Sequence, residues 1–220
     1  MTEQTTDQHS RSSHDATIYV VDDDDSVRRS LKRLLRSRGW NVEVFASAED
    51  LLAQGHLAGA GCILLDVHMP GLNGLELQAR LAEEGICLPV VFLSGKGNIP
   101  MTVLAMKHGA VDFLVKPVAE DVLFQALEQA IRRNLAETSV RHQRENVMAR
   151  MARLSERERE VLEQVLRGRL NKQIAFDLGI AEKTVKVHRG RVMEKMGAAS
   201  LAELVHMCDE AGIGLTRNAG

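Results

Sequence analysis

Short apolar runs alternate with helix-patterned segments between residues 17 and 132. The runs at 18–21, 42–45, 62–65, 89–93 and 112–115 are rich in Val, Ile, Leu and Phe and have the length of buried strands. Between them, apolar residues recur every three or four positions, as at Val27, Leu31 and Leu34, which is the spacing of one helix face. Five strand–helix repeats predict an α/β domain, in which a parallel five-stranded sheet carries helices on both faces.

The pattern becomes purely helical after residue 132. Residues 133–153 are polar and basic and contain neither Pro nor Gly, which favours a helical linker over a flexible tether. From 154 to 213 the apolar spacing predicts a second, all-α domain of four helices, separated by Gly168, Gly179 and Gly197. The polar first sixteen residues are expected to be disordered. The predicted organisation is therefore 1–16 disordered, 17–132 α/β, 133–153 linker and 154–213 all-α.

Charge is unevenly distributed along a chain whose net charge is only −2. Residues 1–130 carry 11 basic and 18 acidic side chains, whereas residues 131–220 carry 17 basic and 12 acidic side chains. This asymmetry indicates two modules with different partners. Charge alone is weak evidence for nucleic-acid binding, because a run of charged residues is usually a solvated surface.

The sequence also excludes several classes of protein. Its apolar runs are far shorter than the roughly 18 residues of a membrane-spanning helix, and the polar N-terminus lacks the apolar segment of a signal peptide. Cys62, Cys87 and Cys208 are scattered and form no CxxC pair, which argues against a zinc site or a disulfide framework. We therefore expect a cytoplasmic protein without a membrane partner.

Five polar residues stand directly after predicted strands: Asp22, Asp23, Asp66, Ser94 and Lys116. Because the carboxyl ends of parallel strands meet at one edge of a sheet, these side chains are expected to converge. Three neighbouring carboxylates repel one another and call for a cation, and a few hard oxygen ligands favour Mg²⁺ or Mn²⁺. One carboxylate beside such an ion can act as a nucleophile toward phosphorus, with the lysine and serine contacting the phosphoryl oxygens.

The motifs around these residues resemble the receiver domain of bacterial two-component response regulators. The matching stretches are Val20-Val21-Asp22-Asp23, Leu65-Asp66-Val67-His68-Met69-Pro70-Gly71, Phe92-Leu93-Ser94-Gly95 and Val115-Lys116-Pro117. The resemblance implies a flavodoxin-like sheet with the strand order 2-1-3-4-5. It also implies that Asp66 accepts a phosphoryl group from a sensor histidine kinase. The implied Mg²⁺ ligands are Asp22, Asp23, Asp66 and the backbone carbonyl of His68, and the implied switch residues are Ser94, Phe113 and Lys116.

Two other interpretations of the acidic run compete with this one. Asp24 and Asp25 suit a solvated helix N-terminus, where Asp caps the helix and faces its positive dipole end. The spacing Asp22-x-Asp24-x-Ser26 after an apolar strand is also similar to the nucleophile loop of haloacid-dehalogenase-type phosphatases. That alternative leaves the motif from Asp66 to Gly71 without a role.

The basic half contains two short helical segments joined by Gly179, Ile180 and Ala181, which predict a helix-turn-helix. Between residues 171 and 196 there are six Lys or Arg against three Asp or Glu, and the apolar positions are spaced to form a small core. The basic side chains then lie on the outward face of the second helix, as a reader of the DNA major groove requires. On charge alone, a charged surface helix in an interaction bundle is the preferred explanation of the pattern.

Three motifs resemble the LuxR-type helix-turn-helix of the FixJ/NarL subfamily: residues 154–158, 171–175 and 184–188, which read LSERE, NKQIA and TVKVH. Residues 170–189 also resemble regulators of aromatic-hydrocarbon catabolism. The resemblance implies that Lys186 and Val187 face base edges. The other implied DNA-binding residues are Lys172, Thr184, His188, Arg189, Arg191 and Lys195, most of them phosphate contacts. Gly190 replaces a base-reading lysine that some relatives have at this position.

A phosphorylation-switched transcription factor follows from the two resemblances together. Phosphorylation is expected to reshape the surface at residues 100–115 and to produce a homodimer that binds double-stranded promoter DNA, with RNA polymerase as a further partner. The helix at 200–209 either adds a second dimer contact or belongs to the core. Beyond self-phosphorylation and self-dephosphorylation, no enzymatic activity is expected.

Overall fold

In a computed structural model that describes residues 16–55, 57, 59–95 and 99–213, the chain divides into two units after Thr138. Residues 1–15 of the segment predicted to be disordered lie outside the described residues. Ala16, which belonged to that prediction, is fully buried against the core of the first unit. The packed part of the chain therefore begins at least one residue before the predicted boundary at 17.

The first unit is a parallel five-stranded sheet with the order β2-β1-β3-β4-β5, which confirms the predicted fold. Its strands are β1 (Thr17–Val21), β2 (Asn41–Phe45), β3 (Gly61–Leu65), β4 (Val90–Ser94) and β5 (Asp112–Val115). Its helices are α1 (Asp25–Ser37), α2 (Ala48–Ala53), α3 (Gly74–Glu83), α4 (Ile99–Lys107) and the first part of α5 (Glu120–Ala152).

Two apolar layers cover the two faces of this sheet, because side chains alternate along each strand. On β1, Ile18 and Val20 pack with residues of α1 and α5, such as Leu35 and Leu127. Tyr19 and Val21 join the opposite layer, which contains residues of α2, α3 and α4. Burial on both faces explains why the strands read as continuous apolar runs rather than as alternating ones.

Helix α5 continues beyond the predicted end of the α/β domain at residue 132. It runs without a break from Glu120 to Ala152 and so includes almost all of the predicted linker. Asn134 is buried on this helix, where its side chain accepts a hydrogen bond from the Gly61 amide at 3.0 Å and donates one to the Cys87 carbonyl at 3.4 Å. Packing of the first unit therefore continues past the predicted boundary at residue 132.

The second unit contains the four predicted helices and the end of α5. These helices are α6 (Glu156–Leu166), α7 (Asn171–Leu178), α8 (Glu182–Met196) and α9 (Leu201–Glu210). Val161, Val185, Val192 and Leu204 meet in one core, to which α5 contributes Val147. Leu204 is thus a core residue, whereas Leu201 and Val205 on the same helix are exposed. None of the described helices is both long and apolar enough to cross a membrane.

Candidate functional site

The strand register brings the predicted acidic residues together at one edge of the sheet. Val21 pairs with Leu65 on the neighbouring strand, so the residues that follow, Asp22 and Asp66, leave the sheet at the same level. The Asp66 amide donates to the Val21 carbonyl at 2.8 Å. One carboxylate oxygen from each of Asp22, Asp23 and Asp66 lies within 4.8 Å of the others. Asp22 and Asp66 are buried, and Asp23 is exposed.

Lys116 reaches this cluster from β5 and contacts two of the three carboxylates. Its amide donates to the Ser94 carbonyl at 2.8 Å, which fixes the residue beside the end of β4. Its Nζ donates to Asp22 Oδ2 at 2.6 Å and lies 3.7 Å from Asp66 Oδ1. The lysine is therefore bound mainly to Asp22, while Asp66 Oδ1 is buried without a hydrogen-bond partner among the described residues.

Burial and neighbouring charges of both signs shift the pKa of Asp66 in opposite directions. Burial raises the pKa of Asp66 above its ordinary value, the Lys116 ammonium lowers this pKa, and the neighbouring carboxylates Asp22 and Asp23 raise it again. A buried, unpartnered oxygen beside two further carboxylates is a donor set that suits a hard divalent cation such as Mg²⁺. Such a cation would stabilise the ionised form of Asp66.

The predicted switch residues Ser94 and Phe113 lie near the cluster. Ser94 is fully buried, and its Oγ lies 3.2 Å from Nδ1 of the exposed His68 imidazole. No sequence pattern indicates this contact. The metal-ligand role of the His68 backbone carbonyl stays a prediction. The Phe113 ring is half-buried and packs against Phe92, with the ring centroids 5.8 Å apart.

Two further residues support the acidic site and were missed in the sequence. Arg28 donates from Nη1 to the Asp22 carbonyl at 2.7 Å, and so holds the loop that carries the carboxylates. Gly74 begins α3 so close to the Asp66 backbone that a Cβ there would lie 2.3 Å from the Asp66 carbonyl oxygen. An Asn-Gly pair at the start of a predicted helix was the available signal for the second residue.

Asp24 and Asp25 have the structural roles that their position suggested. The Asp24 side chain caps α1 by accepting hydrogen bonds from the Ser26 and Val27 amides. A hydrogen bond with the Ser26 side chain, followed by these two amide hydrogen bonds, lowers the pKa of Asp24. Asp25 pairs with Arg28 and Arg29 on the same helix. Neither residue belongs to the carboxylate cluster.

In the second unit, α7 and α8 form a helix-turn-helix with a solvent-facing basic surface. Gly179 makes the turn after α7 at a φ of 63°, a left-handed conformation that favours glycine. Helix α8 buries Val185, Val192 and Met196 in the core. The predicted DNA-binding residues that are exposed are Lys172 on α7 and Thr184, Lys186, Val187 and Arg191 on α8.

Three other predicted DNA-binding residues point into the unit or make internal contacts. Lys195 donates to Glu158 Oε2 at 2.6 Å, and Glu158 is only 2% exposed, so this lysine forms a structural ion pair rather than a phosphate contact. Arg189 Nη1 donates to Asn171 Oδ1 at 2.5 Å. His188 is half-buried, and its Nδ1 has no hydrogen-bond partner within the part of the chain that the structure describes. The sequence placed these residues on an exposed basic face because it does not reveal such distant contacts.

Comparisons with known proteins identify the family. Residues 18–128 match the response regulator receiver domain, and residues 152–208 match the luxR family of bacterial regulatory proteins. The chain belongs to the response regulators that carry a LuxR-type DNA-binding domain. The resemblance seen in the sequence motifs is thereby confirmed. The phosphatase alternative and the simple interaction bundle are both wrong, because neither accounts for this pair of domains.

Relatives of this response regulator align over nearly its whole length. It is 44% identical over 205 residues to nodulation protein W of Bradyrhizobium diazoefficiens, across 93% of this chain and 90% of that protein. It is 45% identical to the transcriptional regulatory protein FixJ of Azorhizobium caulinodans, across 89% of this chain and 93% of FixJ. A low-resolution structure of the response regulator StyR shares 45% identity and a TM-score of 0.82, across 89% of this chain and 99% of StyR.

Proposed function

We propose that Asp66 accepts a phosphoryl group from a sensor histidine kinase and that this modification switches the binding of promoter DNA. The observation that carries the proposal is the cluster at the sheet edge: three carboxylates within 4.8 Å, one buried oxygen without a partner, and an ammonium group 3.7 Å away. Asp66 is the member of the cluster with this unpartnered oxygen, whereas both oxygens of Asp22 accept hydrogen bonds.

In the proposed transfer, an ionised Asp66 oxygen attacks the phosphorus of a phosphohistidine. A bond forms between this oxygen and phosphorus, the bond between phosphorus and the imidazole nitrogen breaks, and the released nitrogen takes a proton from solvent. The residues that would hold Mg²⁺ are Asp22, Asp23, Asp66 and the His68 carbonyl. When bound, the ion supplies positive charge that offsets the charge of the phosphoryl oxygens.

Lys116 and Ser94 would contact the transferred group. The phosphoryl group carries about 1.5–2 negative charges, so it competes with Asp22 for the Lys116 ammonium. The Ser94 hydroxyl would leave the His68 imidazole, 3.2 Å away, and donate to a phosphoryl oxygen. Phe113 lies on the strand next to Ser94 and is only half-buried, so it can pack into the space that Ser94 vacates.

The proposed output of this change is a homodimer formed through α4 and β5. These elements expose several large apolar side chains, namely Ile99, Val103, Leu104, Met106 and Val115. Clustered apolar exposure of this kind marks interaction surfaces. Two paired chains would present two recognition helices to half-sites about one helical turn apart.

On DNA, α8 would lie in the major groove with Lys186 and Val187 toward base edges. Lys172, Thr184 and Arg191 would contact phosphates and set the register of the helix. The regulator would work in the cytoplasm, where the kinase, the promoter and RNA polymerase are all within reach. Each molecule would carry one phosphoryl group and remove it by self-dephosphorylation.

The site assignment is tested by incubating the chain with acetyl phosphate and Mg²⁺ and locating the modification by intact-mass and peptide mass spectrometry. We expect one phosphoryl group on the parent and none on Asp66→Asn. Asp121→Asn is the matched control, because it removes an equally charged, exposed residue of α5. Labelling of Asp66→Asn to the level of the parent would show that another residue is the phosphoacceptor.

A further inference from the structure

We propose that Arg150, on the last turns of α5, is a positioning residue for the recognition helix α8. This inference rests on the proposed reading of DNA by α8. It assigns a role in DNA recognition to a residue in the segment that the sequence presented as a linker. The contacts that carry it all lie within the second unit, between the end of α5, the end of α8 and the core beneath them.

Arg150 binds the carboxyl end of α8 directly. Its Nη1 donates to the carbonyl oxygen of Met196, the last residue of the helix, at 2.6 Å. The last carbonyls of a helix lack partners within the helix and carry partial negative charge, so a guanidinium group is a well-matched donor there. Gly197 ends the helix at a φ of 67°, and a Cβ at this position would lie 2.8 Å from Arg150 Nη1. A side chain at this position would therefore meet the flexible end of the arginine, which would have to shift.

The Arg150 side chain is itself held in place. Its Nε donates to Asn146 Oδ1 at 3.1 Å, one turn earlier on α5. On the same helix, Val147 is buried in the core of the second unit and Met151 packs against that core. The end of α5 is thus fixed to this unit by apolar burial, and Arg150 projects from a rigid support rather than from a mobile tether.

A second contact holds the same end of α8. Lys195, the neighbour of Met196, forms the 2.6 Å ion pair with buried Glu158 of α6. The carboxyl end of the recognition helix is therefore anchored to α5 and α6, while Lys186 and Val187 nearer its start are exposed. About ten residues, or about 15 Å, separate Lys186 from Met196, so a tilt of about 4° at the anchored end moves Lys186 by about 1 Å. Displacements of this size weaken a bidentate base contact.

The test compares full-length Arg150→Ala with Arg144→Ala, which removes the same charge from an exposed position of the same helix. The probes are a duplex of about 40 bp that the parent chain selects from a random pool, and an unrelated duplex of equal length. We expect Arg150→Ala to lose about tenfold affinity for the selected duplex and less than about twofold for the other. The salt slope, which is the change in the logarithm of the affinity with the logarithm of the salt concentration, should not change. Arg150→Lys, which keeps one donor, should recover most of the loss.

Hydrogen exchange measures the helix end without DNA. Arg150→Ala should speed exchange of the Gly197 and Ala198 amides, which donate to α8 carbonyls, and Arg144→Ala should leave it unchanged. If Arg150→Ala does not fold, Asn146→Ala releases the guanidinium more mildly and should show the same two effects. Parental affinity and exchange in Arg150→Ala would overturn the proposal, as would a salt slope lowered by about one. Failure of the parent, treated with acetyl phosphate and Mg²⁺, to select any sequence would instead contradict the proposed function.

Discussion

Replacing Lys195 by methionine should destabilise the second unit without altering the electrostatics of DNA binding. The reason is the environment of Glu158, whose Oε2 accepts hydrogen bonds from Lys195 Nζ at 2.6 Å and from the Ser155 amide at 2.8 Å. The lysine, followed by Ser155, lowers the pKa of Glu158 from 4.5 to about 2. At about 1.4 kcal/mol per pKa unit, this shift corresponds to roughly 3 kcal/mol. We expect Lys195→Met to lose about 2 kcal/mol of unfolding free energy, because the hydrogen bonds from Ser155 to Glu158 remain and preserve part of the stabilisation.

The pH dependence of this loss has a definite sign. The pKa of Glu158 is lower in the folded state than in the unfolded chain, so its stabilising contribution is complete above pH 4.5. The contribution disappears as the pH falls from 4.5 toward about 2, where the carboxylate becomes protonated in both states. The difference in stability between the parent and Lys195→Met should therefore be constant near pH 7 and shrink across this acidic range.

Denaturant unfolding followed by circular dichroism measures the loss, since the second unit is helical. The only tryptophan, Trp40, lies in the core of the first unit, so its fluorescence provides an internal reference that should not change. Lys186→Met is the matched control, because its side chain is 65% exposed and its pair with Glu182 spans 3.6 Å. Equal stabilities of Lys195→Met and Lys186→Met, or a salt slope for DNA binding that falls by about one in Lys195→Met, would refute the assignment.

Four further substitutions probe the acidic site and the DNA-binding surface. Asp66→Asn should be more stable than the metal-free parent at neutral pH, because a raised carboxyl pKa means that the folded state of the parent loses stability as the pH rises through that pKa. In thermal melts, Mg²⁺ at ten times its Kd should stabilise only the parent, by about 1.4 kcal/mol. His68→Ala should speed labelling by acetyl phosphate about 2- to 5-fold, because Ser94 Oγ loses a competing partner. In binding titrations, Lys186→Ala should lose about 1–3 kcal/mol of base discrimination, whereas Arg191→Ala should weaken all sequences and lower the salt slope by about one.

The following results would contradict these predictions. Equal stabilisation of the parent and Asp66→Asn by Mg²⁺ would place the ion elsewhere. Slower labelling of His68→Ala would mean that the imidazole assists the reaction. Equal losses on selected and unrelated duplexes for Lys186→Ala would remove this residue from base recognition.

The sheet and the acidic site could be predicted because their signals are local and repeated. The central strands β1, β3 and β4 are short apolar runs buried on both faces, and Asp22 and Asp66 stand directly after β1 and β3, so parallel pairing alone brings these two carboxylates together. The preferred partner of Lys116 could not be predicted. Both carboxylates lie within its reach, and the choice of Asp22 depends on distances of 2.6 Å and 3.7 Å that no sequence pattern encodes.

In the second unit, contacts between residues far apart in the chain could not be predicted from the sequence pattern. The polar, basic composition of residues 133–153 predicts a helical linker, and it does not reveal that isolated residues of this segment, such as Val147, are buried. Lys195 and Glu158 are 37 residues apart, and Arg150 and Met196 are 46 residues apart. Charge patterning detects partners one helical turn apart, so it assigned Lys195 to the DNA surface and gave Arg150 no role.

The central claim is that a phosphoryl group on Asp66 controls DNA binding, and one titration tests it. The affinity for the selected duplex is measured for the parent and Asp66→Asn, each with Mg²⁺ and with or without acetyl phosphate. We expect acetyl phosphate to raise the affinity of the parent at least about tenfold and to leave Asp66→Asn unchanged. An equal increase in both proteins, or no increase in a parent shown by mass to be phosphorylated, would contradict the account.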